Sequence, residues 1–522
     1  MIKKKIAIIG ASIGQLPLCR KAKELDIETF CFAWGEGAIC KYEVDHFYPI
    51  SIIDFDKILK VCQQNQINGI VSNASDTTAR TVSYIAEQLK LNGTPYDVFN
   101  KLQDKQYIRK LLEEVSFFEQ IKYYQYQGID KELYPCVVKP CIGNAKKGVS
   151  MVNNKEEMAQ AIKYASNNNT AIIVEEYITG KEISVESISF HGQHYILQIT
   201  DKDSSAAPHF TELGHHQPAQ IPSIIKEKIF LAIPELLNKI GYTDGASHIE
   251  IKYCNHKLYL IEVNLRGGGD EISNQLVFMS TGIDYLKCMI EVALNTFRFP
   301  CVKHSENKRF AGIYFLCQQT AKYLPFFKNA IGKEWLVKTE IYSEKLIESN
   351  SNYERNGYLI YNSNRKISPN DNNIYILNEK GGEGKLIAKD FLHLINNEEK
   401  TVISEKWIDK IFLHARIISY FEKDKIIGWF VLYCNDQESK IAYCASLHVL
   451  RPYRGEGIGS ILIKVAIETC LKEGMKKITL YCKVDNTSAL YFYKKNNFKE
   501  LYRGEQKQYD NEEYAFLELQ LQ

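Results

Sequence analysis

Two carboxylates, an amide and an arginine recur at alternate positions in the stretch Ala246–Asp270, ASHIEIKYCNHKLYLIEVNLRGGGD. Its two runs alternate polar and apolar residues with a period of two, as half-buried strands do, around a hairpin loop at Cys254–Lys257. Ile249, Ile251, Tyr259, Ile261, Val263 and Leu265 share one parity and are expected to face a core. His248, Glu250, Glu262, Asn264 and Arg266 share the other, and a turn near His256 puts Glu250 opposite Glu262. Facing carboxylates repel and destabilise a sheet, a conflict that a divalent cation removes. Carboxylates and an amide oxygen, here Glu250, Glu262 and Asn264, are hard ligands of the kind Mg²⁺ takes while it also holds phosphates. The competing reading is a plain solvated face.

Upstream residues could supply a phosphate site. Asn100–Arg109 reads as an amphipathic helix with Lys101, Lys105 and Arg109 at i, i+4, i+8 on one face. Tyr134–Pro140 reads as a strand closing on Lys139, followed by a loop holding Gly143, Lys146, Lys147 and Gly148. Backbone N–H groups freed by glycine, with lysines as point charges, suit a polyphosphate. Ala171–Glu186 then reads as a strand, a bend at Gly180 and a second strand, its acids spaced to bracket a purine nucleoside. The segment Asp201–Gln220 carries His209, Glu212, His215 and His216 in a spacing that fits neither a metalloprotease helix nor a common structural zinc site. Pro208 and Pro218 argue against a helix there, and a loop that contacts substrate is expected. An uninvolved surface loop and a zinc cluster are the alternatives.

A second constellation lies near the C-terminus. Ile426–Tyr433 and Ile441–Val449 read as strands, followed by Leu450-Arg-Pro-Tyr-Arg-Gly-Glu-Gly-Ile-Gly459 and a helix to about Glu473. A strand, a glycine-rich turn and a helix N-terminus make an anion site from backbone N–H groups, and Arg454 adds charge. A strand at Ile478–Tyr481 and the run Asn486–Phe498 follow.

A chain of 522 residues exceeds one ordinary domain. Lys5–Ile9, Gly14–Leu25 and Ile27–Ala33 read as strand, helix and strand, and this alternation to about Leu89 implies a small parallel α/β unit. Gly10-Ala-Ser-Ile-Gly14 resembles a nucleophile elbow or a partial dinucleotide fingerprint, and reads better as a tight strand-to-helix turn. KRFAGIYFL and RNGYLIY are strand-like, residues 362–373 are polar and turn-rich, and Gly381–Lys385 lacks full P-loop spacing and is read as a loop or hairpin. The units expected are 1–95, 96–303, 304–365, a linker at 366–373, and 374–522.

Composition restricts the partners. A formal charge of +2 with 25% charged residues gives no electrostatic reason to expect nucleic acid or an anionic membrane. No apolar run reaches the ~18 residues of a membrane span, and the short run after the basic start reads as a strand rather than a signal peptide. The 14 cysteines include no CxxC pair, which suggests reduced thiols and a cytoplasmic setting.

The ordered set of small α/β unit, DK helix, VVKP strand, glycine loop, EEYITGKEISVE and HIE…IEVN resembles the ATP-grasp superfamily over about residues 1–365. Within it, Glu212-Leu-Gly-His-His-Gln-Pro218 and NLRGGGD resemble segments of L-amino-acid ligases and other carboxylate–amine ligases. The resemblance implies that Lys105, Lys139, Gly143, Lys146 and Gly148 hold ATP phosphates, that Glu175, Glu176 and Ile178 meet adenine, and that Glu182 meets the ribose. It further implies two Mg²⁺ ions on Glu250, Glu262 and Asn264, Arg266 at an acyl phosphate, and substrate contacts from His209, Glu212, His215, His216, His248 and Gly268. Asn144-Ala-Lys-Lys147 departs from the serine-rich or glycine-rich loop common in that superfamily.

The C-terminal part resembles the Gcn5-related N-acetyltransferase (GNAT) superfamily, through R-G-E-G-I-G and N-T-S-A…Y-K-K-N-N-F. Asn497 stands where a glycine is usual. That resemblance implies acetyl-CoA binding by Leu447, Val449, Arg454, Gly455, Gly457, Ile458, Gly459 and Asn486, with Tyr493 protonating the thiolate.

The expectation is therefore an α/β and α+β multidomain chain with a Rossmann-like unit, an ATP-grasp fold and a GNAT fold. Its expected ligands are ATP, two Mg²⁺ and acetyl-CoA, with small-molecule acid and amine substrates; homo-oligomerisation is left open. The function implied is ligation of a carboxylate to an amine, plus N-acetylation. The alternative is a sensor of nucleotide or acetyl-CoA with one half inactive.

Overall fold

The computed structural model describes residues 3–143, 148–166, 170–205, 210–300, 309–349, 354–369, 374–400, 403–422, 425–505 and 512–521. The chain divides into two compact units, Met1–Ile367 and Ser368–Gln522. It is an α/β multidomain protein.

The first unit opens with a parallel four-stranded sheet in the spatial order His46–Tyr48, Glu28–Phe32, Lys5–Ile9, Gly69–Val71. Ile6 to Ile9 are fully buried, as parallel strands covered on both faces require. Gln15 ends the turn after Gly10 and accepts from the Asn73 backbone N–H at 2.9 Å, joining the first helix, Leu16–Glu24, to the loop after Gly69–Val71. The Ser75 hydroxyl caps helix Asp76–Gln88.

An antiparallel eight-stranded sheet follows, in the order Lys257–Asn264, Gly245–Cys254, Lys181–Phe190, Gln193–Ser204, Glu212–Gln217, Phe310–Leu316, Gly357–Ser363, Leu336–Ile341. Helix Ser223–Ile240 buries Ile225, Ile229, Ile233, Leu236, Leu237 and Ile240 against it, an apolar stripe at helical spacing. A second antiparallel sheet, Tyr123–Gln125, Ile172–Glu176, Cys136–Pro140, Ser150–Val152, carries the lysine strand.

The hairpin of Gly245–Cys254 and Lys257–Asn264 pairs Glu250 with Glu262 and His248 with Asn264. A bulge then shifts the register, so that Ile251 pairs with Leu260. One extra residue flips the strand phase. The core face is therefore Leu258 and Leu260 with Ile249, Ile251, Val263 and Leu265, whereas Tyr259 and Ile261, expected in that core, are only half-buried.

Three other expectations are corrected. The helix read over Asn100–Arg109 is two, Tyr96–Leu102 and Lys105–Leu111, because the Asp104 carboxylate caps the second by accepting from Gln106 N. The break leaves Lys101 exposed and ion-paired with Asp97, off the face of Lys105 and Arg109. The loop expected across Asp201–Gln220 contains the inner strand Glu212–Gln217, whose polar side chains are buried by pairing with one another's neighbours. Gly381–Lys385 opens a helix, Gly381–Glu399.

The second unit is a seven-stranded sheet in the order Ile374–Ile376, Arg416–Glu422, Lys425–Asp436, Ile441–Val449, Lys477–Lys483, Glu513–Gln520, Lys499–Glu505. Helices Gly381–Glu399 and Lys406–His414 pack one core with Phe391, Ile408, Ile411 and Trp429. Helices Ile458–Lys472 and Thr487–Lys495 pack another with Leu462, Ala466, Leu490 and Tyr493. Ile441–Val449 pairs in parallel with Lys477–Lys483 only from Ile441 to Tyr443. Among the described residues no ladder joins the two strands beyond Tyr443, so one backbone edge of Cys444–Val449 is left open in the sheet.

Candidate functional site

A cleft of about 360 Å³ in the first unit is lined from both antiparallel sheets and from the helices Asp76–Gln88 and Lys105–Leu111. Its basic wall starts at Lys105, whose ammonium donates to Gly143 O at 2.8 Å. Burial and the charge of Lys139 push the Lys105 pKa down. Lys139 lies 2.7 Å from Glu175. Arg109 holds the same carboxylate in a two-pronged contact at 2.8 and 3.1 Å and donates to Leu260 O. Burial alone would raise the Glu175 pKa; Lys139 and Arg109 bring it to about 2 instead. Bidentate guanidinium–carboxylate geometry of this kind fixes position as well as charge.

The acidic wall is built around an ammonium. Lys202, with 1% of its side chain exposed, lies 2.7 Å from Glu250, 3.1 Å from Glu212 and 3.2 Å from Glu182. Burial opposes its charge, but the three carboxylates raise its pKa well above the ordinary lysine value. Glu262 has the opposite problem: burial, Glu250 and Asp76 all raise its pKa. The buried Asn264 Nδ2 has no hydrogen-bond partner among the described residues.

Arg266 donates to Asp76 at 3.0 Å and to Gly267 O at 3.0 Å. His248 bridges Glu186, at 3.0 Å, and Glu250, at 3.3 Å; burial opposes its charge, yet these acids raise its pKa to about 9. A Cβ on Gly268 would stand 3.0 Å from both Glu186 Oε2 and His248 Nδ1, and 2.8 Å from Ile272, so only glycine lets the chain pass this pair. Next to it, Arg355 holds Asp270 at 2.8 and 2.9 Å, and His215 lies 3.4 Å from Asp270 and 3.2 Å from Glu212. His216 points to the other face, where it meets Asp203 at 3.0 Å and Tyr361 at 3.2 Å. Burial lowers its pKa to about 4.

In the second unit the open edge of Cys444–Val449 is followed by a turn that needs Gly455 at φ +94° and Gly457 at φ +83°, a backbone region that favours glycine. The turn delivers the chain into helix Ile458–Lys472, whose first N–H groups have no intrahelical acceptor. Arg454 donates to Val449 O at 2.8 Å and lies 2.7 Å from Glu399. Asn486 caps helix Thr487–Lys495 by accepting from Ala489 N. Tyr493 is buried, which raises its pKa well above the ordinary tyrosine value, and packs against Phe492 and Phe498.

Residues 132–275 match the model of the ATP-grasp domain, and residues 387–498 match that of the acetyltransferase (GNAT) family. The chain carries an ATP-grasp domain and a GNAT domain. The D-alanine–D-alanine ligase of Fervidobacterium nodosum is 31% identical over 173 residues, 31% of this chain and 53% of that protein. The carbamoyl phosphate synthase large chain of Thermoanaerobacter sp. (strain X514) is 23% identical over 261 residues, 48% of this chain and 24% of that protein. The chain thus spans about a quarter to a half of the length of these curated relatives. Among solved structures, L-amino acid ligase from Bacillus licheniformis superimposes with a TM-score of 0.58 at 20% identity, covering 70% of this chain and 94% of that one. N5-carboxyaminoimidazole synthetase from Staphylococcus aureus, complexed with ADP, gives 0.56 at 17% identity over 70% and 95%. These likenesses show a shared fold. Among the described residues, no helix is long and apolar enough to cross a membrane.

Within the first unit, Lys105, Lys139, Gly143, Glu175, Glu176, Ile178, Glu182, Glu250, Glu262 and Asn264 line one cleft. Lys146 and His209 lie outside the described residues. The Glu175 carboxylate is held by Arg109 and Lys139 rather than presented to a base, and the Ile178 carbonyl accepts from Lys252 at 3.2 Å. Glu176 accepts from Lys122 N. Gly148 is not among the residues that line the cleft. Glu212, His215, His248 and Gly268 gather beside the acidic wall; His216, expected with them, is separated because adjacent strand residues face opposite ways. Sequence reasoning missed Asp76, Lys202 and Arg355 entirely, and gave Arg109 no role beyond a charged face. Each is distant in sequence from its partner, and no motif links them.

The hairpin donors fit a divalent cation. A buried carboxylate, Glu250, directly opposed in register to a half-buried one, Glu262, whose pKa is raised, and the buried amide of Asn264, whose oxygen is a hard donor, make an oxygen-rich set short of positive charge. Lys202 meets part of that deficit at Glu250, and Lys105 and Arg266 offset only part of it at Glu262, whose pKa stays raised.

Proposed function

We propose that the first unit joins a carboxylate to an amine, with ATP as the energy source and an acyl phosphate as intermediate. The observation that carries this reading is one cleft with Lys105 and Lys139 on one wall and the Glu250–Glu262 pair on the other. Glu250, Glu262 and Asn264 would hold Mg²⁺, which neutralises phosphate charge when bound. Lys105 and Lys139 hold the polyphosphate, and Arg109 keeps Lys139 aimed through Glu175. The substrate carboxylate approaches beside Arg266, which is suited to span the carboxylate and the transferred phosphoryl group in a bidentate way that lysine cannot match. An amine then attacks the acyl carbon and expels phosphate. Water must be kept from this intermediate.

The second unit transfers acetyl from acetyl-CoA to an amine. Backbone N–H groups at Gly455–Gly459 and the helix start face the pyrophosphate, and the open edge at Leu447–Val449 receives the acetyl carbonyl. Tyr493, kept protonated by burial, supplies a proton to the departing thiolate.

The test is product release by the purified chain. ADP is measured with pooled amino acids and small acids, and free thiol is measured with acetyl-CoA and pooled amines. Acid- and amine-dependent ADP release supports ligation. ATP binding with no release under any pair overturns it.

A further inference from the structure

The acetyltransferase reading needs a group that takes a proton from the amine, because an alkylammonium has no lone pair with which to attack a thioester. The sheet of the second unit offers one on the face opposite Tyr493. His448 lies on strand Ile441–Val449, between Leu447 and Val449, and its ring meets Phe391 of the core under helix Gly381–Glu399. Tyr493 belongs to the core on the other side, with Leu462 and Ala466. Alternation along the strand therefore sends His448 to one side of the open edge while Leu447 and Val449 turn to the other.

The His448 ring is oriented by a carboxylate. Its Nε2 lies 3.1 Å from Glu398 Oε2, and Glu398 is itself fixed because its Oε1 accepts from the Arg451 backbone N–H at 2.9 Å. A ring nitrogen facing a carboxylate carries the proton, which leaves Nδ1 as the basic atom. Nδ1 has no hydrogen-bond partner among the described residues, and 13% of the side chain is exposed. Glu398, Glu399 and His448 could be read as metal ligands, but the Arg454 guanidinium stands 2.7 Å from Glu399 and 3.6 Å from Glu398 and already supplies the cation.

We propose that His448, oriented by Glu398, is the general base of acetyl transfer and receives the amine's proton at Nδ1. The proposal rests on acetyl transfer as the activity of this unit. An ammonium gives one proton to Nδ1, and its nitrogen then forms a bond to the thioester carbonyl carbon. The C–S bond breaks, and the thiolate takes a proton from Tyr493, which recovers one from the new amide nitrogen. His448 releases its proton to solvent. The groups facing His448 are Glu398 and Glu399 from the helix and Arg454 from the turn. Burial lowers the imidazole pKa, Arg454 adds to that, and the two glutamates oppose it. The imidazole is thus neutral, and able to act as a base, at neutral pH.

The experiment uses the full chain. Acetyl-CoA binding is first measured by calorimetry; failure of the wild type to bind overturns the acetyltransferase reading itself. Thiol release is then followed with ethanolamine, lysine and 2-phenylethylamine, all protonated at neutral pH, and with hydroxylamine, which is mostly neutral there. His448→Ala should bind acetyl-CoA as the wild type does. It should lose roughly 10²–10⁴-fold in kcat with the alkylamines and less than about tenfold with hydroxylamine, and added imidazole should restore alkylamine turnover. Glu398→Gln should give a smaller loss in the same pattern. Equal losses with both kinds of acceptor, no rescue by imidazole, or no thiol release from any probe while acetyl-CoA binds would overturn the proposal.

Discussion

Replacing Lys202 with methionine tests whether one ammonium holds the acidic wall together. The side chain is 1% exposed and faces Glu250, Glu212 and Glu182 at 2.7, 3.1 and 3.2 Å. At an effective dielectric of about 20, each contact near 3 Å is worth on the order of 5 kcal/mol, much of which desolvation cancels. Removing one partner of a buried ion pair leaves the other uncompensated and costs about 3–5 kcal/mol. Three stranded carboxylates put Lys202→Met in that range or above it, a drop of about 10²–10⁴ in the folding equilibrium. Glu250 is held below the ordinary carboxylate range in the wild type by Lys202 and His248, against the effect of burial. Its contribution is therefore present above the unfolded carboxylate pKa and lost as pH falls. In the variant the carboxylates lose their cation, so the deficit should be largest at neutral pH and shrink in mild acid as they protonate. Added MgCl₂ should recover part of it. Urea unfolding at pH 7.5 and pH 5, with and without MgCl₂, reads all three effects. A deficit that is absent, or that ignores both pH and MgCl₂, would mean that Lys202 does not hold the three carboxylates together.

Arg109→Met should cost about 3–5 kcal/mol by leaving Glu175 buried with only Lys139, and should weaken ATP binding measured by calorimetry. Glu175 is held at about 2, so its contribution is present above the ordinary carboxylate pKa and should fade as pH drops from about 4.5 toward 2; Glu175→Gln should flatten that limb in urea unfolding. His216 is buried with a pKa of about 4, so the unfolded chain binds the proton first, and stability should fall as pH drops from about 6.5 to 4; His216→Gln should remove that slope. Gly268→Ala forces a Cβ to 3.0 Å from Glu186 and His248 and should cost about 1–3 kcal/mol, with ADP release lowered, as read by unfolding and a coupled assay.

The parity of the Ala246–Asp270 stretch carried the pairing of Glu250 with Glu262 because strand alternation is a local rule. It failed four residues before Leu265, at Ile261, because a bulge inserts one residue without changing composition. Strand Glu212–Gln217 was hidden for a different reason. Its polar residues read as surface, and the charges that allow their burial, Lys202 and Arg355, come from other strands and loops. Helix Lys105–Leu111 shows the same limit: a face count grouped Lys101 with Lys105, while the Asp104 cap divides them. The glycine turn at Gly455–Gly459 was readable because its function resides in backbone conformation that glycine spacing reports directly. The His448–Glu398 contact joins residues 50 apart and has no such signature.

On the function proposed above, the Glu250–Glu262 hairpin holds the cation of a ligase that works separately from the acetyltransferase. Glu262→Gln tests it most directly, with both activities measured on one preparation. The variant should lose acid- and amine-dependent ADP release and keep acetyl-CoA-dependent thiol release unchanged. Full ligation by the variant, or loss of both activities in a folded protein, would contradict it.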